Sequence, residues 1–177
     1  MQIDRERSVS LVRRFMILSM MLAFGILSAC GQSEDSSSTE SSAADRTLTV
    51  YKTKSCSCCS EWVDHIQQGG LWAIVVNQDS VAHIKDFYQL PANARSCHTA
   101  VSSEGFVFEG HVPAKFIKQF LSNPPAGSVG LIVPAMPLGS PGMEYQDKFN
   151  PYQILSMNQK GVLEPYASID SYAQQFD

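Results

Sequence analysis

Leu48-Thr-Val-Tyr-Lys-Thr-Lys-Ser-Cys56-Ser-Cys-Cys59-Ser-Glu-Trp-Val-Asp-His-Ile-Gln-Gln-Gly69-Gly70 passes from a strand pattern to a helix pattern across three cysteines. Leu48–Tyr51 is a short β-branched and aromatic run, which predicts a first strand. A helix is expected to begin near Ser57–Cys59. Its residues Cys59, Trp62, Val63 and Ile66 follow the i, i+3, i+4, i+7 stripe, and Gly69-Gly70 stops it. The cysteines therefore fall at the turn into a helix N-terminus, where free N–H groups and the helix dipole favour thiolate over thiol. Thiolate is both the redox nucleophile and the soft metal ligand, so the position serves either chemistry.

Working outward, Trp72-Ala-Ile-Val-Val76 is a continuous apolar run, the pattern of a strand buried on both faces. Val81–Leu90 reads as a second helix ended by Pro91. Thr99–Ser102 and Phe106–Glu109 read as a hairpin around Ser103-Glu104-Gly105. Pro113 sits where a third helix would start, with Phe116, Ile117, Phe120 and Leu121 as its apolar face. The order β-α-β-α-β-β-α predicts an α/β fold: a thioredoxin-like mixed sheet flanked by helices. After Pro124-Pro125 come Val129–Val133, a Gly/Pro/Met-rich loop, and a strand pair near Tyr152–Met157 and Val162–Tyr166. These are expected to be a C-terminal β/loop elaboration of one domain, 46–177, rather than a second domain.

Of 177 residues, 44 % are apolar and 17 % charged, a globular composition. The net charge of −4 leaves no electrostatic footprint for binding a phosphate backbone, so nucleic acid is excluded as a partner. Arg13-Arg14 precedes an apolar run, Phe15–Ala29, too short to cross a bilayer as a helix and fitting a secretory signal. Its exit, Leu27-Ser28-Ala29-Cys30, resembles a bacterial lipobox. Residues 1–29 are thus expected to be a lipoprotein signal peptide, with Cys30 lipidated and unavailable for other chemistry. Gly31 stands where an inner-membrane retention signal would show Asp, which points to the outer membrane. Residues 30–45 are Ser-rich and acidic with no large apolar side chain, a tether holding the domain roughly 20 Å from its anchor. The expected location is the cell envelope, lipid-anchored and facing the periplasm. Beyond the signal the chain is more acidic still, which suits metal cations.

Cys56 and Cys59 alone form a C-x-x-C of the kind used by thiol–disulfide oxidoreductases. Cys58 distinguishes the cases, because a simple dithiol has no use for a third thiol, whereas soft, thiophilic Cu(I) gains from it. A fourth thiol, Cys97, opens the third strand and in a thioredoxin-like sheet faces the N-terminus of the first helix. Four converging thiolates could close a zinc tetrahedron, but C-x-C-C is tighter than the usual spacing of structural zinc. Thiolates bridging more than one Cu(I) fit better. Two structural disulfides are the bland alternative in an oxidising envelope, although Cys58–Cys59 would be strained and Cys56–Cys59 closes a loop too small to stabilise much.

Cys56-Ser-Cys-Cys59, Arg95-Ser-Cys-His-Thr99, Glu109-Gly-His-Val-Pro113 and Pro134-Ala-Met-Pro-Leu-Gly-Ser-Pro-Gly-Met-Glu144, in this order, resemble the domain-of-unknown-function family 411. Its members include CopG-type copper-resistance proteins of the bacterial envelope. The resemblance covers roughly Leu48–Tyr166. It implies a thioredoxin-like domain that binds copper through the C-x-C-C thiols and the Cys of Cys-His. It further implies a role in copper handling, including redox cycling of the metal. The lipoprotein tether departs from the family pattern and changes location rather than site.

His98 follows Cys97, and strand neighbours face opposite sides unless the strand begins there. His98 is therefore a weaker candidate ligand, and so is His111, which precedes the helix-opening Pro113 near the same end of the sheet. Met136 and Met143 lie in the Gly/Pro loop, where a thioether could sit over the thiolates. His65 and His83 read as ordinary surface residues, Met157 and Trp62 as packing. The favoured reading is an envelope copper-binding protein holding Cu(I) on Cys56, Cys58, Cys59 and Cys97 in copper resistance. It would sequester copper, pass it to other envelope copper-handling proteins, or cycle it between Cu(I) and Cu(II). The rival is a thiol–disulfide oxidoreductase with Cys56 as nucleophile and Cys59 resolving.

Overall fold

In the computed structural model, residues 46–176 are described. The expected signal peptide, the expected lipidation site Cys30 and the expected tether lie outside the described residues. β1 (Thr47–Thr53) alternates buried and half-exposed positions, and its buried side carries Leu48, Val50 and Lys52. The chain then turns into α1 (Ser57–Gln68), which buries the stripe Cys59, Trp62, Val63 and Ile66. β2 (Trp72–Gln78), α2 (Ala82–Phe87), a 3-10 turn (Ala92–Ala94), β3 (Thr99–Ser102), β4 (Val107–Glu109) and α3 (Ala114–Ser122) follow. β5 (Ser128–Ile132), β6 (Tyr152–Asn158), β7 (Leu163–Ile169) and a 3-10 turn (Tyr172–Gln175) complete the order.

One mixed seven-stranded sheet results, in the order β2-β1-β3-β4-β5-β6-β7. β1 and β2 are parallel, as are β4 and β5, because α1 and α3 are the crossovers between them; the other pairs are antiparallel. The fold is α/β, and the element order through α3 is the one expected. The last three strands widen the same sheet. Among the described residues, no helix is long and apolar enough to cross a membrane.

Two of the expected elements differ. β2 is an edge strand bonded to β1 alone, so Trp72 and Ile74 stand 65 % and 58 % exposed rather than buried on both faces. A continuous apolar run identifies a strand but not its place in the sheet. The second helix stops at Phe87 instead of Leu90. Gln89 adopts φ 53°, and the Leu90 N–H reaches back to the Lys85 carbonyl at 2.9 Å, closing the helix before Pro91.

The main core lies between one sheet face and the helices α1 and α3. It gathers Leu48, Val50, Trp62, Ile66, Phe108, Ile117 and Phe120, each contributing about 1.5–3 kcal/mol by burial. Phe120 meets Phe106 and Phe108 edge-on at 5.2 and 5.7 Å. A smaller cluster of Leu90, Ala94, Val107, Ile132 and Met157 includes the methionine read as packing.

His65 is not the free surface residue expected. It is half-buried, and its Nε2 accepts the Ala114 N–H at 3.0 Å, one of the donors left open at the start of α3. Burial, and then the charge of Lys118, lower its pKa to about 4. The unfolded chain therefore takes up this proton first as pH falls. The stabilisation is complete above pH 6.5 and is lost between about 6.5 and 4. Urea unfolding at pH 7 and at pH 4.5 should differ by about 1–2 kcal/mol through this residue, after allowance for partial exposure. The difference should shrink in His65→Gln; an unchanged pH dependence there would remove His65 as its source.

Candidate metal centre

Cys56 caps α1 in extended backbone, and its N–H bonds the Thr53 carbonyl at 3.2 Å, so the turn out of β1 delivers the thiols directly onto the helix start. Cys59 lies on the buried stripe, whereas Cys58 is half-buried. Cys56 and Cys59 form a disulfide, while Cys58 and Cys97 are free thiols. Cys56 Sγ and Cys58 Sγ are 3.5 Å apart, and the sulfurs of Cys56, Cys58, Cys59 and Cys97 all lie within 4.8 Å of one another.

Cys97 also belongs to a second group. Its Sγ is 3.2 Å from His98 Nδ1 and 3.1 Å from His111 Nε2, and these three donors likewise lie within 4.8 Å of one another. Strand alternation does not separate Cys97 from His98, because β3 begins only at Thr99. His111 Nδ1 sits 2.7 Å from the Pro141 carbonyl, an acceptor, so Nδ1 carries the proton and Nε2 presents its lone pair to Cys97. His98 is fully buried against the Trp62 ring, 4.2 Å between centroids, and its Nε2 has no partner.

Burial, reinforced by the neighbouring Cys58 thiol, pushes the Cys97 thiol up to about 11. Burial also holds both histidines below their ordinary range. His111 and then Lys85 add to this at His98, while the Pro141 carbonyl opposes it at His111. Neutral imidazoles have lone pairs to give. Four sulfurs and two such nitrogens form a soft donor set, and an orphaned buried nitrogen beside them is what a ligand-binding wall leaves when bare.

Two solved structures described as copper resistance protein CopG, form 1 and form 2, match the chain. Each is 32 % identical with a TM-score of 0.65; 70 % of this chain covers 96 % of the first and 97 % of the second. Residues 94–143 match the family described as "Protein of unknown function, DUF411". The chain belongs to the DUF411 family of CopG-type proteins. None of the curated proteins matches it. The family match spans Cys97, His98, His111, Met136 and Met143 and begins after the C-x-C-C.

Behind the thiols of this DUF411 protein lies a polar network that sequence reasoning missed. Glu109 is fully buried and accepts the Ser96 N–H at 2.5 Å, the Thr99 hydroxyl at 2.7 Å and the Lys85 ammonium at 2.6 Å. Ser96 and Thr99 bracket Cys97 and His98, so one carboxylate fixes the turn that presents them. Strand β4 delivers Glu109 beside two apolar residues, and only that odd charge within an apolar hairpin could have flagged it.

The loop carrying Met136 and Met143 borders the same turn. Ser96 Oγ donates to the Ala135 carbonyl at 2.6 Å, and Met136 beside it is 48 % exposed. Gly142, at φ 81°, lies so close to α1 that a Cβ would stand 2.5 Å from the Cys58 carbonyl and 2.7 Å from the Trp62 nitrogen. Only glycine permits that approach in that conformation. The loop is tied from beneath by Gln175, fully buried, whose Nε2 donates to the Gly139 carbonyl at 3.0 Å while its Oε1 accepts the Tyr152 hydroxyl at 2.6 Å. His83 is exposed and stands apart from the centre.

Proposed function

We propose that this protein binds copper, serves copper resistance, and holds Cu(I) on the thiolates of Cys56, Cys58, Cys59 and Cys97. The observation that carries the reading is the mutual approach of four sulfurs within 4.8 Å at a helix N-terminus. The two structures named for copper resistance support it. His111 and His98 face Cys97 and complete the donor set; Met136 and Met143, on the bordering loop, are the candidate thioethers. Four sulfurs packed this closely favour bridging more than one copper ion. Bound copper supplies one-electron chemistry between Cu(I) and Cu(II).

The protein's own groups limit that binding. With Cys56 and Cys59 joined, two of the four thiols are withdrawn. Opening the bond takes two electrons and two protons from a dithiol reductant and yields two thiols. Full loading therefore belongs to the reduced protein. Cys30 would anchor it by lipid in the envelope, with the outer membrane favoured over the inner and other envelope copper-handling proteins as partners.

X-ray absorption on the reduced, Cu(I)-loaded chain tests the reading. Sulfur-dominated coordination is expected; mainly nitrogen and oxygen neighbours would defeat it, and a single zinc tetrahedron in the purified protein would make the site structural. A second reading is favoured by one observation, the Cys56–Cys59 disulfide at the start of α1, which is the arrangement of a thiol–disulfide oxidoreductase.

A further inference from the structure

Gln175, in the C-terminal 3-10 turn, is fully buried, and both polar atoms of its amide are bonded. Nε2 donates to the Gly139 carbonyl at 3.0 Å and the Tyr172 carbonyl at 3.2 Å, while Oε1 accepts the Tyr152 hydroxyl at 2.6 Å. The turn is seated on two helices. Lys115 of α3 donates to the Phe176 carbonyl at 3.0 Å and the Gln174 carbonyl at 3.5 Å, and the Phe176 ring meets His65 of α1 edge-on. An apolar side chain would fill the same space without the cost of burying an amide, so what the amide adds is direction.

That direction leads to the metal centre. Two residues after Gly139, the Pro141 carbonyl accepts the His111 Nδ1–H at 2.7 Å, and His111 Nε2 lies 3.1 Å from Cys97 Sγ. The intervening backbone has little slack. Residues 139–142 are all buried, the Gly139 N–H reaches the Met143 carbonyl at 2.9 Å, and Gly142 abuts α1 where a Cβ would not fit. A displaced Gly139 therefore carries the Pro141 carbonyl with it. We propose that Gln175 is a positioning residue for His111: by holding Gly139 it keeps the Pro141 carbonyl on Nδ1, and so keeps Nε2 aimed at Cys97. The C-terminal turn, distant in sequence, thereby sets how firmly the centre holds its metal. The consequence for copper rests on the reading above; the effect on His111 does not.

The test reads the two separately. In the reduced, metal-free full chain, imidazole nitrogen NMR distinguishes a His111 ring protonated at Nδ1 from one protonated at Nε2. Gln175→Leu, close in volume, should convert a measurable share of His111 to the Nε2–H form. It should also weaken Cu(I) binding, measured by competition with a chromophoric chelator, by about three- to tenfold, less than a group bonded directly to a ligating histidine. Tyr152→Phe breaks a bond of the same amide but leaves the one to Gly139. It should keep the parent's His111 form and a Cu(I) affinity within about twofold of the parent. Lys115→Met unties the turn from its outer side and should shift His111 in the same direction as Gln175→Leu; it decides the question where Gln175→Leu does not fold. The proposal is overturned if Gln175→Leu, or Lys115→Met in its place, leaves His111 in the parent's form. It is equally overturned if Tyr152→Phe shifts His111 as far, which would make Gln175 a packing residue. A parent chain that takes up no Cu(I), with His111 shifting as expected, overturns the copper reading and leaves the role of Gln175 standing.

Discussion

Cys58→Ser is expected to lower Cu(I) affinity by more than about tenfold, or about 1.4 kcal/mol and above, while any disulfide-exchange activity persists. Cys58 is a free, half-buried thiol 3.5 Å from the Cys56 sulfur, and it sits outside the Cys56–Cys59 bond. Serine keeps its size but offers a hard oxygen to a soft ion. An oxidoreductase would retain its nucleophile, its resolving thiol and their place at the helix start. Titration with a Cu(I) chelator and a disulfide-reduction assay on the same preparation read both properties. A variant that binds Cu(I) like the parent, with Cys56→Ser alone abolishing exchange, would hand the function to the redox reading.

Glu109→Gln is expected to destabilise the fold by about 3–5 kcal/mol, the range for removing one partner of a buried ion pair. The fully buried carboxylate collects three donors, and the amide leaves the Lys85 ammonium buried and uncompensated. Replacing both partners, as Lys85→Met with Glu109→Leu, should recover most of the loss, because the charge penalty disappears with the pair. Urea unfolding at fixed redox state measures both. A loss below about 1 kcal/mol for the single variant would mean that the network does not hold the Cys97 turn.

The readable and unreadable parts of this molecule divide on physical grounds. The stripe Cys59, Trp62, Val63 and Ile66 is a property of local periodicity, and α1 follows it residue for residue. The convergence of Cys97 on the C-x-C-C was also legible, since an expected sheet order brings the start of β3 to the start of α1. Trp72 and Ile74 were misplaced because neither sequence neighbour says which strand ends the sheet. His65 escaped because its partner, the Ala114 N–H, is 49 residues away and is a backbone donor that any sequence would supply. Lys52 and Glu109 look like surface charges in a strand pattern, and only their burial reveals that they face inward.

The anchoring of the 137–143 loop by Gln175 bears on the order in which the chain is made. A polypeptide emerges from its N-terminus, so Cys56, Cys58 and Cys59 appear more than a hundred residues ahead of the side chain that fastens the loop bordering them. During synthesis the thiols precede Gly142, which closes over the Cys58 carbonyl, and Gly142 precedes its own fastening. Nascent chains thus pass through a stage in which the sulfurs are present but unroofed, open to oxidants and stray metal. With Cys56 and Cys59 joined, Cys58 is the one thiol of the C-x-C-C that stays free while the chain waits for its roof.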